Sequence, residues 1–172
     1  MQIKSTITNK SGQVFDFTYN DIESELDLQG KKIAAVHGIC FYKDKLVIVY
    51  SQKKGTWTPP GGGVEEGETA IEATVREIKE ETNMKVLRQK FIGYQDIFDQ
   101  KKSITQARSV CIVEPYGDFI RDPDGGEITE IKLIDPKDYK KYFDWGEIGE
   151  HSMKRALEIR DEWEKVDRLV YN

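Results

Sequence analysis

The sequence predicts an α/β fold in which a mixed sheet carries helices on its faces. Three observations support this prediction: strand-like runs precede residue 59, one amphipathic helix follows from about residue 70, and further strand-like runs lead into helical segments. Because strands and helices each have an apolar side to bury, this order of elements is typical of a sheet packed between helices. With 172 residues, the chain is expected to form one domain over residues 1–172.

The composition excludes two classes of partner. A formal net charge of −5 argues against a nucleic acid polymer, because nonspecific binding to polynucleotides relies on clustered Lys and Arg. No apolar run approaches the ~18 residues of a membrane-spanning helix, and the first residues lack the apolar core of a signal peptide. We therefore expect a cytoplasmic protein that binds neither polynucleotides nor membranes.

Two hairpins are predicted before the helix. Alternating runs at residues 2–8 and 13–19 form the first, which belongs to an N-terminal extension over about residues 1–30. Its last part, residues 20–30, is expected to be a loop or a short turn of helix. The second hairpin pairs residues 33–42 with residues 46–50 and leads towards a glycine-rich loop.

One histidine and two cysteines within the strand-like runs are candidates for a metal or catalytic role. His37 has apolar neighbours and is expected to be a core residue whose hydrogen bonds are satisfied. Cys40 and Cys111 occur singly and without metal-binding spacing, so we expect both to be buried, reduced thiols.

The helix begins with a capping box. Thr69 can cap the first turn, and Glu72 can reach back to the backbone N–H of the cap, so the helix is expected to start near Ala70. The apolar stripe expected to face the core consists of Ile71, Val75 and Ile78.

The opposite stripe of the helix is acidic. Glu77, Glu80 and Glu81 are close enough to repel, at roughly 0.2–0.5 kcal/mol for each like-charged pair. A hard cation reverses that sign, and Mg²⁺ and Mn²⁺ bind through carboxylates and substrate phosphates. The small Ala70 and Ala73 on this stripe are expected to leave room for a hydrated phosphate and metal assembly.

The loop before the helix supplies backbone groups. Gly61, Gly62 and Gly63 let N–H and C=O groups approach a ligand without interference from side chains, and the following helix start favours anions. The loop and the acidic stripe together predict a site for a metal ion and a pyrophosphate.

This stretch resembles the signature of the Nudix hydrolase family, Gly-x5-Glu-x7-Arg-Glu-U-x-Glu-Glu-x-Gly-U, where U is apolar. The residues that match in register are Gly62, Glu68, Arg76, Glu77, Ile78, Glu80, Glu81 and Met84. Asn83 stands where the family has glycine, and asparagine is the next most tolerant residue of the left-handed backbone conformation that ends many helices.

The resemblance implies a Nudix-type α/β/α sandwich with a mixed β-sheet. It also implies hydrolysis of the pyrophosphate linkage of a nucleoside diphosphate joined to another moiety, with Mg²⁺ or Mn²⁺ as the cofactor and a small-molecule nucleotide as the substrate. A nucleoside triphosphate is the first candidate, and a nucleotide sugar or ADP-ribose is the alternative. Two other readings stay open: a non-catalytic nucleotide-binding regulator and an isomerase of diphosphate esters.

The resemblance also implies roles for individual residues. Glu77 and Glu81 would be metal ligands, Glu80 a ligand or the general base, and the Gly61 carbonyl a further ligand. Arg76 would orient the acids and, together with the three glycines, bind phosphate. The remaining roles fall to Glu68, which would organise the loop, Asn83, which would end the helix, and Glu127 or Glu130, which would add a metal ligand or base.

A long hairpin is predicted after the helix, from residues 86–98 and 104–114. Its basic residues Arg88, Lys90 and Arg108 are expected to be solvated, and contact with phosphates is the alternative if their strands face the site. Residues 122–126 form a turn cluster and residues 127–134 a strand. Asp135 and Pro136 are then expected to open a short helix that ends near Phe143.

A C-terminal helix is predicted over about residues 147–170. Its apolar seam consists of Ala156, Ile159, Trp163, Val166 and Val170, which recur at helical spacing. This seam must be buried either against the sheet of the same chain or against a second subunit, which makes a homodimer the alternative.

Overall fold

The structure, a computed structural model, describes residues 1–8, 11–99, 101–119 and 127–170. Its strands are β1 (Gln2–Thr8), β2 (Val14–Asp21), β3 (Ile33–Tyr42), β4 (Lys45–Ser51), β5 (Thr56–Thr58), β6 (Met84–Phe98), β7 (Ser103–Pro115) and β8 (Ile128–Ile134). The helices are α1 (Ala70–Thr82) and α2 (Gly146–Val170), with 3-10 helices at Glu25–Leu28 and Pro136–Lys141. In these residues, no helix is both long enough and apolar enough to cross a membrane.

The strands of the described residues form one mixed sheet. Its order is β1-β2-β6-β7-β3-β4-β5, and β8 pairs with β4. The pairing of β3 with β7 is parallel, whereas the other pairs are antiparallel. The parallel pair places His37 opposite Arg108 and Cys40 opposite Cys111.

The two faces of β3 have different partners because successive side chains of a strand point to opposite faces. Ile39 and Phe41 belong to a core cluster that includes Met153 and Ala156 of α2. Residues of the other parity, such as Cys40, pack in the clusters that include side chains of α1. The molecule is therefore an α/β/α sandwich with a mixed sheet, as predicted.

Most of the predicted elements are confirmed. The three hairpins are present as β1–β2, β3–β4 and β6–β7, and after the end of β2 at Asp21 residues 22–30 form a loop with one short 3-10 helix. Asp135 caps the 3-10 helix that follows it, because its side chain accepts a hydrogen bond from the Lys137 N–H. The predicted turn at residues 122–126 lies outside the described residues.

The buried side of α1 differs from the predicted one. Ile78 is fully buried, but Ile71 and Val75 are 41% and 40% exposed. The sheet is instead covered by a stripe of smaller side chains that includes Ala73 and Thr74. Ala73 packs in the core and leaves no room for a phosphate, so that expectation was wrong. Small side chains let the helix lie close to the sheet, and apolarity alone did not reveal this.

Only the first half of the C-terminal seam is covered by this chain. Ala156 and Ile159 are buried, and Trp163 is half-buried against the same cluster. Val166 and Val170, by contrast, are 51% and 70% exposed. The homodimer therefore stays a prediction, as does the assignment of residues 1–172 to one domain.

Candidate active site

Both ends of α1 are fixed by the residues that the sequence indicated. The Thr69 side chain accepts a hydrogen bond from the Glu72 N–H, and the Glu72 carboxylate accepts one from the Thr69 N–H at 2.9 Å. Asn83 has φ 52° and ψ 38°, the left-handed conformation predicted for it. Its side-chain amide also donates to the Asp118 carbonyl at 2.8 Å.

The glycine loop runs along β3 and is held there by backbone hydrogen bonds. The Gly38 and Val36 N–H groups donate to the carbonyls of Pro60 and Gly62, each at 2.9 Å. Gly61, between these two acceptors, points the other way and donates its N–H to Glu81 Oε2 at 2.8 Å. The loop thereby brings the backbone of β3 and the carboxylates of α1 together.

Two of the three glycines lie where an added side chain would meet a close neighbour. A Cβ at Gly61 would lie 2.1 Å from the Val36 carbonyl oxygen, and its φ of +153° suits glycine. A Cβ at Gly62 would lie 2.5 Å from the carboxylate atoms of Glu77. Nothing lies within 4 Å of the corresponding position at Gly63. The sequence did not distinguish among these three positions.

Arg76 connects the loop to the acidic stripe. Its guanidinium donates to Glu68 at 2.8 and 2.9 Å, to Glu77 at 2.9 Å, to Glu80 at 3.1 Å and to the Gly63 carbonyl at 2.8 Å. Arginine has five N–H donors, and these contacts engage all of them. The geometry therefore favours the positioning role expected for Arg76, and phosphate binding by Arg76 stays a prediction.

The loop carboxylate and the cleft carboxylates have opposite electrostatic surroundings. Hydrogen bonds from Arg76, and then from the Glu65 N–H, lower the pKa of Glu68 to about 2. Burial raises the pKa of Glu77 even though Arg76 opposes it. Burial also raises the pKa of Glu81 to about 7, against the hydrogen bond from Gly61. The negative charges of Glu77 and Glu81 are thus incompletely compensated by the protein.

A cleft of about 330 Å³ brings the predicted site residues together. Its border includes Gly61, Gly62, Glu77, Glu80, Glu81 and Glu127. Glu127, near the start of β8, is held by Lys53 at 2.7 Å and reaches the cleft, whereas Glu130 lies further along that strand and does not border it. Lys54 also borders the cleft, and nothing in the sequence except its charge indicated this position.

The residues of this cleft fit a hard divalent cation. In the described part of the chain, no three Asp, Glu, His or Cys side chains are already gathered closely enough to enclose a metal ion. Glu77 and Glu81 nevertheless offer undercompensated carboxylates, and Glu80 and Glu127 border the same space. Oxygen ligands of this kind suit Mg²⁺ and Mn²⁺, which keep several waters and share their coordination with substrate phosphates.

A second cavity, which the sequence did not predict, lies near the start of α2. It has a volume of about 400 Å³, and its border includes His37, Lys54, Trp57, Arg108 and Trp145. Arg108 is only 4% exposed, which corrects the expectation that it is solvated. The His37 Nδ1 atom is buried without a hydrogen-bond partner in the described residues, so the expected satisfied histidine was also wrong. The sequence signal for this cavity was the position of the charged Arg108 inside an apolar, strand-like run.

Comparisons with known proteins identify the family of this chain. The family model described as NUDIX domain matches residues 31–155. An ADP-ribose pyrophosphatase of Methanocaldococcus jannaschii is 31% identical over 130 residues, which cover 74% of this chain and 70% of that protein. The Bacillus subtilis protein YtkD, provisionally assigned as an 8-oxo-dGTP diphosphatase, is 31% identical over 93 residues, or 53% of this chain and 58% of its own length.

A solved structure supports the same fold. The Bacillus subtilis pyrophosphohydrolase BsRppH aligns with a TM-score of 0.68 at 20% identity, over 90% of this chain and 96% of that one. The family model spans the loop, α1 and the strands that hold them, and the sandwich matches that of a solved pyrophosphohydrolase. The chain therefore belongs to the Nudix family and is a Nudix hydrolase.

Proposed function

We propose that this enzyme hydrolyses the pyrophosphate linkage of a nucleoside diphosphate joined to another moiety, with Mg²⁺ or Mn²⁺ as its cofactor. A nucleoside triphosphate is the first candidate substrate. The observation that carries the proposal is the shared cleft of Glu77, Glu80 and Glu81 beside the glycine loop. Two of these carboxylates have raised pKa values because burial leaves their charge undercompensated.

Each residue of the cleft has a proposed task. Glu77 and Glu81 hold the metal ions, and Arg76 keeps Glu77 and Glu80 in place through its hydrogen bonds. The Glu80 side chain is 57% exposed and is free to act as a further ligand or to accept a proton from water. When bound, the metal neutralises charge on phosphate oxygens and lowers the pKa of water.

The remaining groups would bind the substrate and support the acids. Lys54 borders the cleft and supplies a positive charge for phosphate oxygens. Gly61, whose N–H group contacts Glu81, can add its carbonyl as a ligand. Glu127 borders the same cleft and is the better candidate for the additional acid that was expected beyond the motif.

ADP-ribose is the second candidate substrate. The observation in its favour is the 31% identity to an ADP-ribose pyrophosphatase. Against it, ADP-ribose enzymes of the family carry a proline about 15 residues beyond the motif, and this chain has Asp99 in that region. A nucleotide sugar stays open beside ADP-ribose. A non-catalytic regulator and a diphosphate-ester isomerase are weaker alternatives, because the motif retains all of its acids. The cytoplasmic location stays a prediction.

A substrate panel tests the proposal. Purified protein is incubated with nucleoside triphosphates, ADP-ribose and a nucleotide sugar, with Mg²⁺ or with excess chelator, and the products are separated by chromatography. We expect cleavage at the pyrophosphate linkage that requires the metal and is fastest for a nucleoside triphosphate. Hydrolysis that is undiminished by chelator, or the absence of cleavage of every compound, contradicts the proposed function.

A further inference from the structure

The second cavity contains a buried cation without a counter-ion. Arg108 has no ion pair among the described residues, and its Nε and Nη1 atoms are buried without hydrogen-bond partners. Its Nη2 atom donates to Gln95 Oε1 at 2.7 Å. Burial without a counter-charge lowers the pKa of Arg108 to about 10. Unpaired buried donors are costly, which makes them candidates for contacts with a ligand.

Two amide side chains extend the hydrogen bonding of Arg108 along the border of the cavity. Gln95 and Gln106 lie opposite each other on β6 and β7, and Gln95 Nε2 donates to Gln106 Oε1 at 3.1 Å. The Gln95 oxygen accepts from Arg108, and the Gln106 oxygen accepts from Gln95. The Nε2 group of Gln106 therefore remains as a donor at the end of this series of hydrogen bonds. Arg108 and Gln106 both border the cavity. This wall therefore offers donors to an acceptor-rich edge of a ligand.

The other walls are aromatic. The half-buried Phe17, Trp57 and Trp145 border the cavity, and the Arg108 guanidinium lies 4.1 Å from the centre of the Trp145 ring. Aromatic walls suit a flat, apolar ring system, and the volume of about 400 Å³ is in the range of small-molecule sites. Phe17 belongs to the N-terminal hairpin, so this extension contributes part of the cavity wall.

The cavity lies next to the metal cleft. Lys54 borders both. His37 borders the cavity and is in contact with the glycine loop, since a Cβ at Gly61 would lie 2.8 Å from its Cα. A nucleotide with its phosphates in the cleft can therefore place its base in the cavity.

From these contacts we propose that the second cavity binds the base of the nucleotide and that Arg108 selects a 6-oxopurine, such as guanine or hypoxanthine. Guanine presents two adjacent acceptors, O6 and N7, which are the usual partners of an arginine fork. Adenine replaces the first acceptor with an amino group, which would face the donors of Arg108. The inference deepens the proposed function by naming the base of its substrate.

His37 supports the same selection. A 6-oxopurine carries an N1–H donor beside O6, and adenine does not. His37 Nδ1 has no partner in the described residues. A neutral imidazole has one ring nitrogen that can accept a hydrogen bond.

The test measures binding without hydrolysis. GMP, IMP, AMP and inorganic phosphate are titrated into the full chain in chelator, with heat and tryptophan fluorescence as readouts, because Trp57 and Trp145 border the cavity. The monophosphates lack the pyrophosphate linkage and share one phosphate, so differences among them report on the base. We expect GMP and IMP to bind about 10-fold or more tightly than AMP, the scale of one bidentate base contact.

Variants then assign the selection to Arg108. Arg108→Gln should weaken GMP binding about 10-fold while it changes AMP binding less than about threefold. Arg160→Gln is the matched control, since Arg160 is also mostly buried and lies over an aromatic ring, that of Phe41, but does not border the cavity. The control should retain the wild-type preference. If Arg108→Gln does not fold, the ranking of GMP, IMP and AMP by the wild-type protein decides.

Three results would overturn the inference: equal binding of GMP and AMP by the wild type, an unchanged preference in a folded Arg108→Gln variant, or Arg108-dependent binding of inorganic phosphate as tight as that of GMP. Failure of the proposed function is distinguishable from all of these. In that case the chain would still prefer GMP and IMP in chelator but would cleave no nucleoside diphosphate derivative. If the base inference alone fails, the enzyme would cleave a nucleoside diphosphate derivative but would bind GMP and AMP equally.

Discussion

The Gly61 N–H donates a hydrogen bond of 2.8 Å to Glu81 Oε2 and so joins the glycine loop to the acidic side of α1. Only one of the two carboxylate oxygens of Glu81 accepts this hydrogen bond. Burial in the cleft raises the pKa of the Glu81 carboxyl to about 7. Ionisation of Glu81 therefore costs free energy in the absence of a cation. Replacing this residue tests whether its charge serves a metal ion.

We predict that Glu81→Gln lowers kcat by roughly 10²-fold or more on the best substrate. The amide is nearly isosteric and can still accept from Gly61, but it supplies no negative charge to a metal ion. The measurement is steady-state hydrolysis with saturating Mg²⁺, alongside circular dichroism to verify folding. A folded variant with the wild-type rate would leave the acids as a solvated surface.

The same substitution should change the pH dependence of stability in chelator. The folded-state pKa of Glu81, about 7, lies above its ordinary value of 4.5, so the free energy of unfolding falls as the pH rises from 4.5 to 7. Glu81→Gln removes this fall. At pH 8 the variant should be more stable than the wild type by on the order of 1 kcal/mol, measured by urea unfolding. A variant that is less stable than the wild type at pH 8 would contradict the assignment.

Gly62→Ala should disturb catalysis more than folding. The added Cβ would lie 2.5 Å from the Glu77 carboxylate, which is the movable end of a side chain and can shift away. We expect the unfolding midpoint to change little while kcat falls about 10-fold or more through displacement of a metal ligand. Gly63→Ala is the control, because nothing lies within 4 Å of its Cβ position. Equal activity of the two variants would argue against the close contact.

Arg76→Lys should separate positioning from binding. A lysine ammonium has three donors and no planar fork, so it cannot hold Glu68, Glu77 and Glu80 together as the guanidinium does. We predict a kcat at least about 10-fold lower with little change in KM, because the guanidinium has no donor left for substrate. A rise in KM at unchanged kcat would instead indicate direct phosphate binding.

Substitutions at Asn83 should rank by their tolerance of a left-handed backbone. Asn83→Val should cost about 1 kcal/mol or more, because a β-branched residue is strained at φ 52°. Asn83→Gly relieves backbone strain but loses the hydrogen bond to the Asp118 carbonyl, so we expect a change within about 0.5 kcal/mol. Urea unfolding gives the order, and a valine variant as stable as the wild type would refute it.

The exposed end of α2 leads us to predict a homodimer. Val166, Leu169 and Val170 are 51%, 83% and 70% exposed, whereas the first half of the helix is covered by the sheet. Light scattering at high micromolar concentration should give twice the mass of the chain, and Leu169→Glu should halve it. The exposed Lys154 lies in the covered half, so Lys154→Glu should keep the dimer. A monomeric wild type contradicts the prediction.

The sequence by itself determined the elements and the acidic site. Thr69 with Glu72 marked the start of α1, and Asn83 marked its end, because caps depend on hydrogen bonds between residues that are near in sequence. The spacing of Glu77, Glu80 and Glu81 placed them on one side of the helix for the same local reason. The alternation of apolar residues predicted the hairpins, which are also local pairings.

The tertiary structure decided which surfaces meet. The apolar residues of α1 predicted the wrong buried side, since Ile71 and Val75 are exposed and Ala73 packs on the sheet. Arg108 is surrounded by residues far away in sequence, since β3 places His37 opposite it and Trp145 lies against its guanidinium. Contacts between distant segments depend on the order of strands in the sheet, and periodicity within one segment carries no information about that order.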